Sequence, residues 1–144
     1  MIVDERMVTY IHSLETPEEP IIEQIEQEAK ETFVPIIRKE TQSFLKVLLL
    51  MKKPVRVLEV GTAIGYSAIL MSHYLPKDGR ITTIEKYEKR IPIARENFSR
   101  AAVADRITLL EGDALEIMKS LEEPFDFIFM DAAKGNISIS CRIF

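Results

Sequence analysis

Four acidic residues lie at or just beyond the ends of predicted β-strands: Glu59, Glu85, Asp113 and Asp131. Because the carboxyl ends of parallel strands meet at one edge of a sheet, these side chains are expected to share a ligand-binding edge. A carboxylate after the second strand is well placed to accept hydrogen bonds from a ribose diol. One such acid alone is equally compatible with a solvated loop or a helix cap, and Asp113 suits an N-cap. Acids at all four strand ends favour a binding edge.

A glycine-rich turn follows the first predicted strand. The apolar run 55–60 breaks at Gly61 and again at Gly65, and a helical pattern begins at Tyr66. Such a turn can place backbone N–H groups and a helix N-terminus against a ligand. The spacing is G-x-x-x-G, so the G-x-G-x-x-G fingerprint of dinucleotide-binding proteins is incomplete. A tight strand-to-helix connection with no ligand is an equal alternative for this turn alone.

Alternating strand and helix patterns surround these residues and predict an α/β fold with a parallel sheet. The predicted strands span residues 55–60, 80–85, 106–110 and 125–130. The helices predicted between them span residues 66–74, 88–102 and 114–121. Before the sheet, helices are predicted at residues 4–14, 16–33 and 39–51. Thr16 is the predicted N-cap of the second of these, with Pro17 at its first helical position.

The length and composition indicate one ordinary globular domain. The 144 residues fit a single domain with a substantial core. We divide the chain into N-terminal helices (residues 1–53), an α/β half (54–135) and an atypical tail (136–144). Acids of the second helix are interpreted as a solvated face: Glu18, Glu19, Glu23, Glu26, Glu28 and Glu31. His12 and His73 are assigned packing or surface roles. Tyr66 and Tyr74 have the same default role, and the alternative for them is that they border a pocket.

The charge pattern bears on partners and location. The formal net charge is −4 and no long basic run occurs, which counts against a general nucleic-acid binder. A small basic patch is still compatible with the sequence, and its candidates are Lys39, Lys46, Lys52, Lys53, Lys86, Lys89 and Arg90. The one cysteine, Cys141, fits a reducing compartment. No signal peptide and no apolar run of ~20 residues are evident, so we expect a cytoplasmic protein without a membrane partner.

Four segments together resemble the cation-dependent S-adenosylmethionine (SAM) O-methyltransferases of the catechol and caffeoyl-CoA type. The segments are LEVGTAIGYSAILMS, ITTIEKYEKRIPIARENF, ITLLEGDA and FDFIFMDAAKG. The combination of E-V-G-T-x-x-G-Y-S with D-A-x-K is specific to that group. More narrowly, the segments resemble the bacterial branch of this group, which includes the tRNA 5-hydroxyuridine methyltransferases of Gram-positive bacteria. The resemblance implies a Rossmann-like sheet in the order 3-2-1-4, covered by N-terminal helices and lacking the family's last strands.

The resemblance also implies roles for individual residues. Those implied to hold the methionine part of SAM are Glu59, Gly61, Thr62 and Ser67. Glu85 would bind the ribose hydroxyls, and Ile37 would contact the cofactor. The residues implied to border the adenine are Gly112, Asp113 and Ala114. Asp131 would be a metal ligand near the cofactor's amino group, and Lys134 would accept or stabilise the acceptor's proton.

These roles imply one kind of chemistry. Methyl transfer from a sulfonium requires a deprotonated acceptor oxygen held in line with the methyl group. A divalent cation such as Mg²⁺ binds two neighbouring oxygens and lowers the pKa of a hydroxyl, and a lysine with a lowered pKa can take the proton. We expect the acceptor to be 5-hydroxyuridine in tRNA, or second, a small catechol-like phenol.

The C-terminal end departs from the family pattern. Family members continue with three more strands and an Asp-Asn pair that completes the metal site, whereas residues 136–144 do not resemble the next helix. We therefore expect this form to be truncated, to retain the cofactor half and to have little or no activity. The alternative is a non-catalytic SAM-binding or interaction module, a homodimer held by its N-terminal helices or by an open sheet edge.

Overall fold

A computed structural model describes residues 4–131 as six helices and one four-stranded sheet. The helices are α1 (Glu5–Ser13), α2 (Pro20–Glu31), α3 (Lys39–Lys52), α4 (Tyr66–Tyr74), α5 (Ile91–Arg100) and α6 (Ala114–Ser120). The strands are β1 (Arg56–Val60), β2 (Arg80–Glu85), β3 (Ile107–Glu111) and β4 (Phe127–Met130). All pairings are parallel, in the order β3-β2-β1-β4, so the predicted α/β class and strand order are confirmed. Within these residues, each helix is too short or too polar to cross a membrane.

Two predicted helix starts are wrong. α2 begins at Pro20, with Glu19 at the N-cap position, and not at Thr16 and Pro17. Pro20 satisfies the same preference for proline in the first turn, and the extended chain before it lets the Glu18 carboxylate reach the hydroxyl of Tyr74. α5 begins at Ile91 rather than at residue 88, because residues 88–90 form a turn ahead of Pro92.

The helices cover both faces of the sheet. On one face, buried side chains of β1 and β2 such as Val57 and Ile81 pack with α4, which is buried from Tyr66 through Ser72. α2 and α3 pack on the outer side of α4 and form a further layer. On the other face, α6 covers a smaller cluster centred on Leu58, Val60 and Ile84. This arrangement holds the first turn of α4 at the carboxyl ends of the strands.

Two of the acids predicted to be solvated are instead buried against α4. The Glu26 carboxylate is paired with Lys30 and Lys39 at 2.8 and 2.7 Å and accepts a hydrogen bond from Tyr66. Glu18 pairs with Lys46 and accepts from the hydroxyl of Tyr74. Because α4 lies against α2 and against the chain just before it, Glu26 and Glu18 need cationic partners once they leave water. Lys39 and Lys46 are therefore committed to internal ion pairs rather than to a surface patch.

Gly65 closes the glycine turn and begins α4 in a conformation that favours glycine. Its φ is +87°, and a Cβ built there would lie 2.5 Å from Cε1 of Phe98 on α5. The neighbouring Asn97 donates from Nδ2 to the carbonyl of Ile64 at 2.9 Å. The turn is thus pressed against α5, and its shape depends on the missing side chain of Gly65.

We expect Gly65→Ala to lower the free energy of unfolding by about 2 to 4 kcal/mol, from left-handed backbone strain plus overlap with Phe98. Urea denaturation measures the change. In a Phe98→Leu background the overlap is relieved, so the same substitution is expected to cost only the conformational part, about 1 to 2 kcal/mol. Equal costs in the two backgrounds would contradict the contact between the turn and α5.

Candidate functional site

A large cleft opens at the carboxyl ends of β1, β2 and β4. Its volume is about 1250 Å³. Its walls are formed by residues 35–38, 60–63, 84–90, 112–115 and 129–131, together with Thr41, Tyr66 and Ser67. The sequence predicted a ligand-binding edge at this place, and the cleft brings Ile37, Glu85, Asp113 and Asp131 to one cavity, which is the arrangement that a bound nucleotide-like ligand requires.

Glu59 lies beneath the cleft floor, and its side chain is fully buried in β1. Both carboxyl oxygens are hydrogen-bonded, one to the hydroxyl of Ser67 on α4 and the other to the hydroxyl of Thr83 on β2. Burial raises the pKa of Glu59, and these two hydroxyl groups oppose that effect. The nearby charge of Asp131 makes a smaller contribution in the direction of burial. Glu59 therefore joins β1, β2 and the first turn of α4.

The glycine turn itself offers polar groups to the cleft. Gly61 has φ +91° and donates its N–H to the carbonyl of Ile84 at 2.9 Å, which fixes the turn to β2. Thr62 is 2 % exposed, and its hydroxyl oxygen makes no hydrogen bond of acceptable geometry within residues 4–131, although it lies close enough to favour ionisation of Glu59. A buried hydroxyl without a partner is costly and points to a missing ligand group.

Glu85 is the last residue of β2 and orders the adjoining backbone. Its Oε2 accepts the N–H of Ala63 at 2.7 Å, and its Oε1 accepts the N–H groups of Lys86 and Tyr87 at 2.9 and 2.8 Å. A carboxylate has about four acceptor positions, so about one position remains for a further donor. Glu85 can therefore hold the glycine turn and still bind one hydroxyl of a ligand.

The predicted adenine border, Gly112 to Ala114, lines the cleft beside Glu85, just beyond the end of β3. The N–H of Gly112 donates to the carbonyl of Glu85 at 2.9 Å. Asp113 is the N-cap of α6 through the N–H of Leu115, so the capping alternative is confirmed for this acid. The Lys86 ammonium, 2.9 Å from Asp113, holds the pKa of that carboxyl below its ordinary value. Asp113 is both a cap and a residue of the cleft wall.

Asp131 follows β4 at the far rim of the cleft. Its N–H donates to the carbonyl of Val60 at 3.1 Å, which continues the parallel ladder. The residue is exposed as a whole, but burial of part of its carboxyl raises its pKa. Residues 4–131 contain no group of three or more His, Cys, Asp or Glu that could hold a metal ion. Lys134 and the tail at residues 136–144 lie outside the described residues.

Sequence reasoning missed Gln42 near the cleft and kept the pocket-bordering role of Tyr66, which lines the cleft, only as an alternative. Gln42 on α3 is 2 % exposed and donates from Nε2 to the carbonyl of Ile37 at 2.9 Å. Tyr66 donates its hydroxyl to Glu26 at 3.1 Å, and burial followed by the Glu26 charge raises the pKa of Tyr66. Gln42 lies at helical spacing with the apolar residues Leu45 and Leu49. A polar residue in such a row is the one sequence signal that could have indicated the contact between Gln42 and Ile37.

A model of the O-methyltransferase family matches residues 11–140 of the chain. The chain belongs to this family. Since the match includes α2, α3, the glycine turn and all four strands, the whole described cleft falls within it.

Individual relatives support this assignment. The chain is 39% identical over 95 residues to a catechol O-methyltransferase of Niastella koreensis, covering 63% of this chain and 43% of the relative. It is 35% identical over 142 residues to caffeoyl-CoA O-methyltransferase 1 of Eucalyptus globulus, covering 88% of this chain and 56% of the relative. The chain thus spans about half the length of these curated relatives.

Solved structures of similar proteins share the fold. An O-methyltransferase from Bacillus cereus in complex with SAH, the demethylated form of SAM, has 34% identity and a TM-score of 0.76 over 86% of this chain and 59% of the other. An O-methyltransferase of tomaymycin synthesis from Streptomyces achromogenes, in complex with SAM, has 31% identity and a TM-score of 0.79 over 92% of this chain and 63% of the other. The predicted Rossmann-like methyltransferase fold is confirmed.

Burial of Glu59 predicts a pH effect on stability. Its raised pKa means that the folded chain holds the proton more tightly than the unfolded chain, so this contribution is full below the ordinary value of 4.5 and is lost as the pH rises through the folded pKa. As the pH rises through the pKa of Glu59 in the folded chain, we expect the free energy of unfolding of the wild type to fall relative to that of Glu59→Gln. Urea denaturation with a chelator present measures both free energies.

The control is Glu123→Gln at an exposed position, which gives the background dependence of the free energy of unfolding on pH. Stability curves of the wild type and Glu59→Gln that run parallel from about pH 4 to about pH 8 would show that the Glu59 carboxyl is not held in a protonation-sensitive environment.

Proposed function

We propose that the chain binds SAM in this cleft and serves O-methyl transfer to a hydroxyl group that lies beside another oxygen. The observation that carries the proposal is one cleft at the carboxyl ends of neighbouring parallel strands, lined by the glycine turn at Gly61 and Thr62 and by the acids Glu85 and Asp131. The SAM-bound and SAH-bound proteins of similar fold support it.

The residues present fit the parts of SAM. Thr62, Ser67 and the turn at Gly61 offer hydroxyl and backbone groups for an amino-acid moiety, and the remaining acceptor position of Glu85 suits a ribose hydroxyl. The backbone at Gly112 and the side chains of Ala114 and Ile37 offer a flat, partly apolar slot for a base. When bound, SAM would supply the methyl group.

The metal is a separate matter. Within residues 4–131 the donors around Asp131 do not make a Mg²⁺ site, because such a site needs several oxygen ligands in octahedral geometry. Cation dependence, the role of Lys134 and the low activity expected of this 144-residue form therefore stay predictions drawn from the family resemblance. An assay of methyl transfer with and without Mg²⁺ tests the first and the last, and the same assay of Lys134→Ala tests the second.

We propose a small catechol-like phenol as the acceptor, because the named relatives act as catechol and caffeoyl-CoA O-methyltransferases. The acceptor 5-hydroxyuridine in tRNA is the second candidate, and one observation favours it. The cations Arg38, Lys89 and Arg90 line the cleft rim, where they can contact phosphates. The test offers the protein two acceptors, catechol and tRNA purified from a strain that lacks the gene. Methylation of catechol but not of the tRNA would support the phenol as the acceptor.

We expect Glu85→Gln to weaken binding of S-adenosylhomocysteine by about tenfold or more, since it removes a charged acceptor for a ribose hydroxyl and loosens the turn at Ala63. Isothermal titration calorimetry measures the affinity. The matched control is Glu111→Gln, at the equivalent end of β3, where the carboxylate is paired with Arg95 and does not line the cleft.

The control is expected to bind like the wild type. Equal losses in the two variants, or wild-type protein that binds neither SAM nor S-adenosylhomocysteine, would rule out the cofactor assignment for this cleft.

We also propose that the chain forms a homodimer through its N-terminal helices. α1 and its C-cap expose Met7, Tyr10, Ile11 and Leu14, and α3 exposes Phe44, Val47, Leu50 and Met51. These residues recur at helical spacing on faces that nothing else in residues 4–131 covers, and monomers rarely expose apolar patches of that kind. The same surface supports the second candidate function, a SAM-binding interaction module without catalysis.

We expect Leu50→Asp to shift the protein from dimer to monomer in sedimentation velocity at micromolar concentration, since a charge would be buried in the interface. Ile93→Asp, an exposed apolar position on α5, is the control and is expected to leave the dimer intact. A wild type that sediments as a monomer would contradict the proposal.

A further inference from the structure

The cleft wall at residues 35–37 has few hydrogen bonds to its backbone within residues 4–131, although the side chain of Ile37 is buried in the main core at 8 % exposure. The wall lies between α2 and α3 in a segment that is neither helix nor strand. Its start is tied to α2, where the N–H of Val34 donates to the carbonyl of Ala29 at 2.9 Å. Within residues 4–131, the backbone of residues 35–37 takes part in one hydrogen bond, which Nε2 of Gln42 donates to the carbonyl of Ile37 at 2.9 Å.

Gln42 is a poor choice for a position that needs only apolar packing. Its side chain is buried at 2 % exposure, and its Oε1 has no hydrogen-bond partner within residues 4–131. Burying an unpaired amide oxygen costs free energy that methionine, of similar shape, would not cost. The orientation of the amide is fixed by its partner, because the carbonyl of Ile37 can only accept. The donor nitrogen therefore has a use that outweighs this cost.

The first turn of α3, which carries Gln42, is fixed by contacts with two other helices. Lys39, three residues earlier on α3, contacts Oε2 of Glu26 at 2.7 Å, and the hydroxyl of Tyr66 donates to the same oxygen at 3.1 Å. These contacts join the first turn of α3 to α2 and to the start of α4. Ile37 and Tyr66 both line the cleft, so the wall and the floor are set from one cluster.

We propose that Gln42 is a positioning residue for cofactor binding: its side-chain amide fixes the Ile37 carbonyl and so holds the cleft wall in its binding conformation. The role rests on the proposed function of the cleft. A wall that is already ordered before the ligand arrives loses less conformational entropy on binding, which raises the affinity without a direct contact.

The test uses two variants without any side-chain N–H or O–H donor at this position, Gln42→Met and Gln42→Leu. We expect about tenfold weaker binding of S-adenosylhomocysteine by calorimetry, the equivalent of about 1.4 kcal/mol. Hydrogen exchange of the free protein is expected to speed up at residues 34–38. The matched control is Ser72→Ala, which removes another buried side-chain hydrogen bond, 2.7 Å to the carbonyl of Ile69, away from the cleft.

The control is expected to keep wild-type affinity and wild-type exchange at residues 34–38, whatever its thermal stability. Folded Gln42 variants that bind like the wild type would overturn the positioning role while the wild type still supports the proposed function. If both Gln42 variants fail to fold while Ser72→Ala folds, the positioning role is also overturned, because Gln42 would then be needed for the stability of the core. A wild type that does not bind S-adenosylhomocysteine would overturn the proposed function, and the positioning role with it.

Discussion

The buried carboxyl of Glu59 is the interaction on which the cleft depends. It binds the hydroxyl of Ser67 on α4 and that of Thr83 on β2, so one side chain sets the distance between two strands and a helix. Because Glu59 and Ser67 are fixed to each other, the residues between them must form a tight turn, which requires positive φ at Gly61 and Gly65. The backbone groups of that turn are thereby presented to the cleft.

Hydrogen bonds of the same kind, from hydroxyl groups to buried carboxylates, join α4 to the outer layer of helices. This mostly apolar helix carries three hydroxyl groups that each meet a carboxylate on another element: Ser67 with Glu59, Tyr66 with Glu26 and Tyr74 with Glu18. Apolar packing alone is non-directional and would leave the rotation of such a helix weakly defined. The hydroxyl contacts fix it, and lysines on α2 and α3 offset the charge of the two outer acids. Burial and then the Glu18 contact raise the pKa of Tyr74 to about 12, so its hydroxyl stays a donor.

The sequence was informative where local pattern and topology decide the structure. β-Branched runs placed β2 at its observed bounds, and parallel strands bring Glu85 and Asp131 to one edge whatever their side-chain details. It was uninformative where partners are distant in the chain: helical spacing places Glu26 on the buried face of α2 with Ile22, Ile25 and Ala29, but its partner Tyr66 lies forty residues later, where no local pattern indicates it. The start of α2 was misplaced because Pro17 and Pro20 carry the same local preference, and contacts with α4 decide between them. The domain boundaries and the site roles of individual residues stay predictions.

Chemical-shift mapping of isotopically labelled protein with S-adenosylhomocysteine tests the central claim most directly, because it locates the ligand without requiring turnover. The account predicts that amide shifts concentrate in the glycine turn from Gly61 to Ser67 and at the ends of β2 and β3. Shifts confined to the smaller cavity of about 520 Å³ beside His12 and Glu40, or no shifts at saturating ligand, would contradict it.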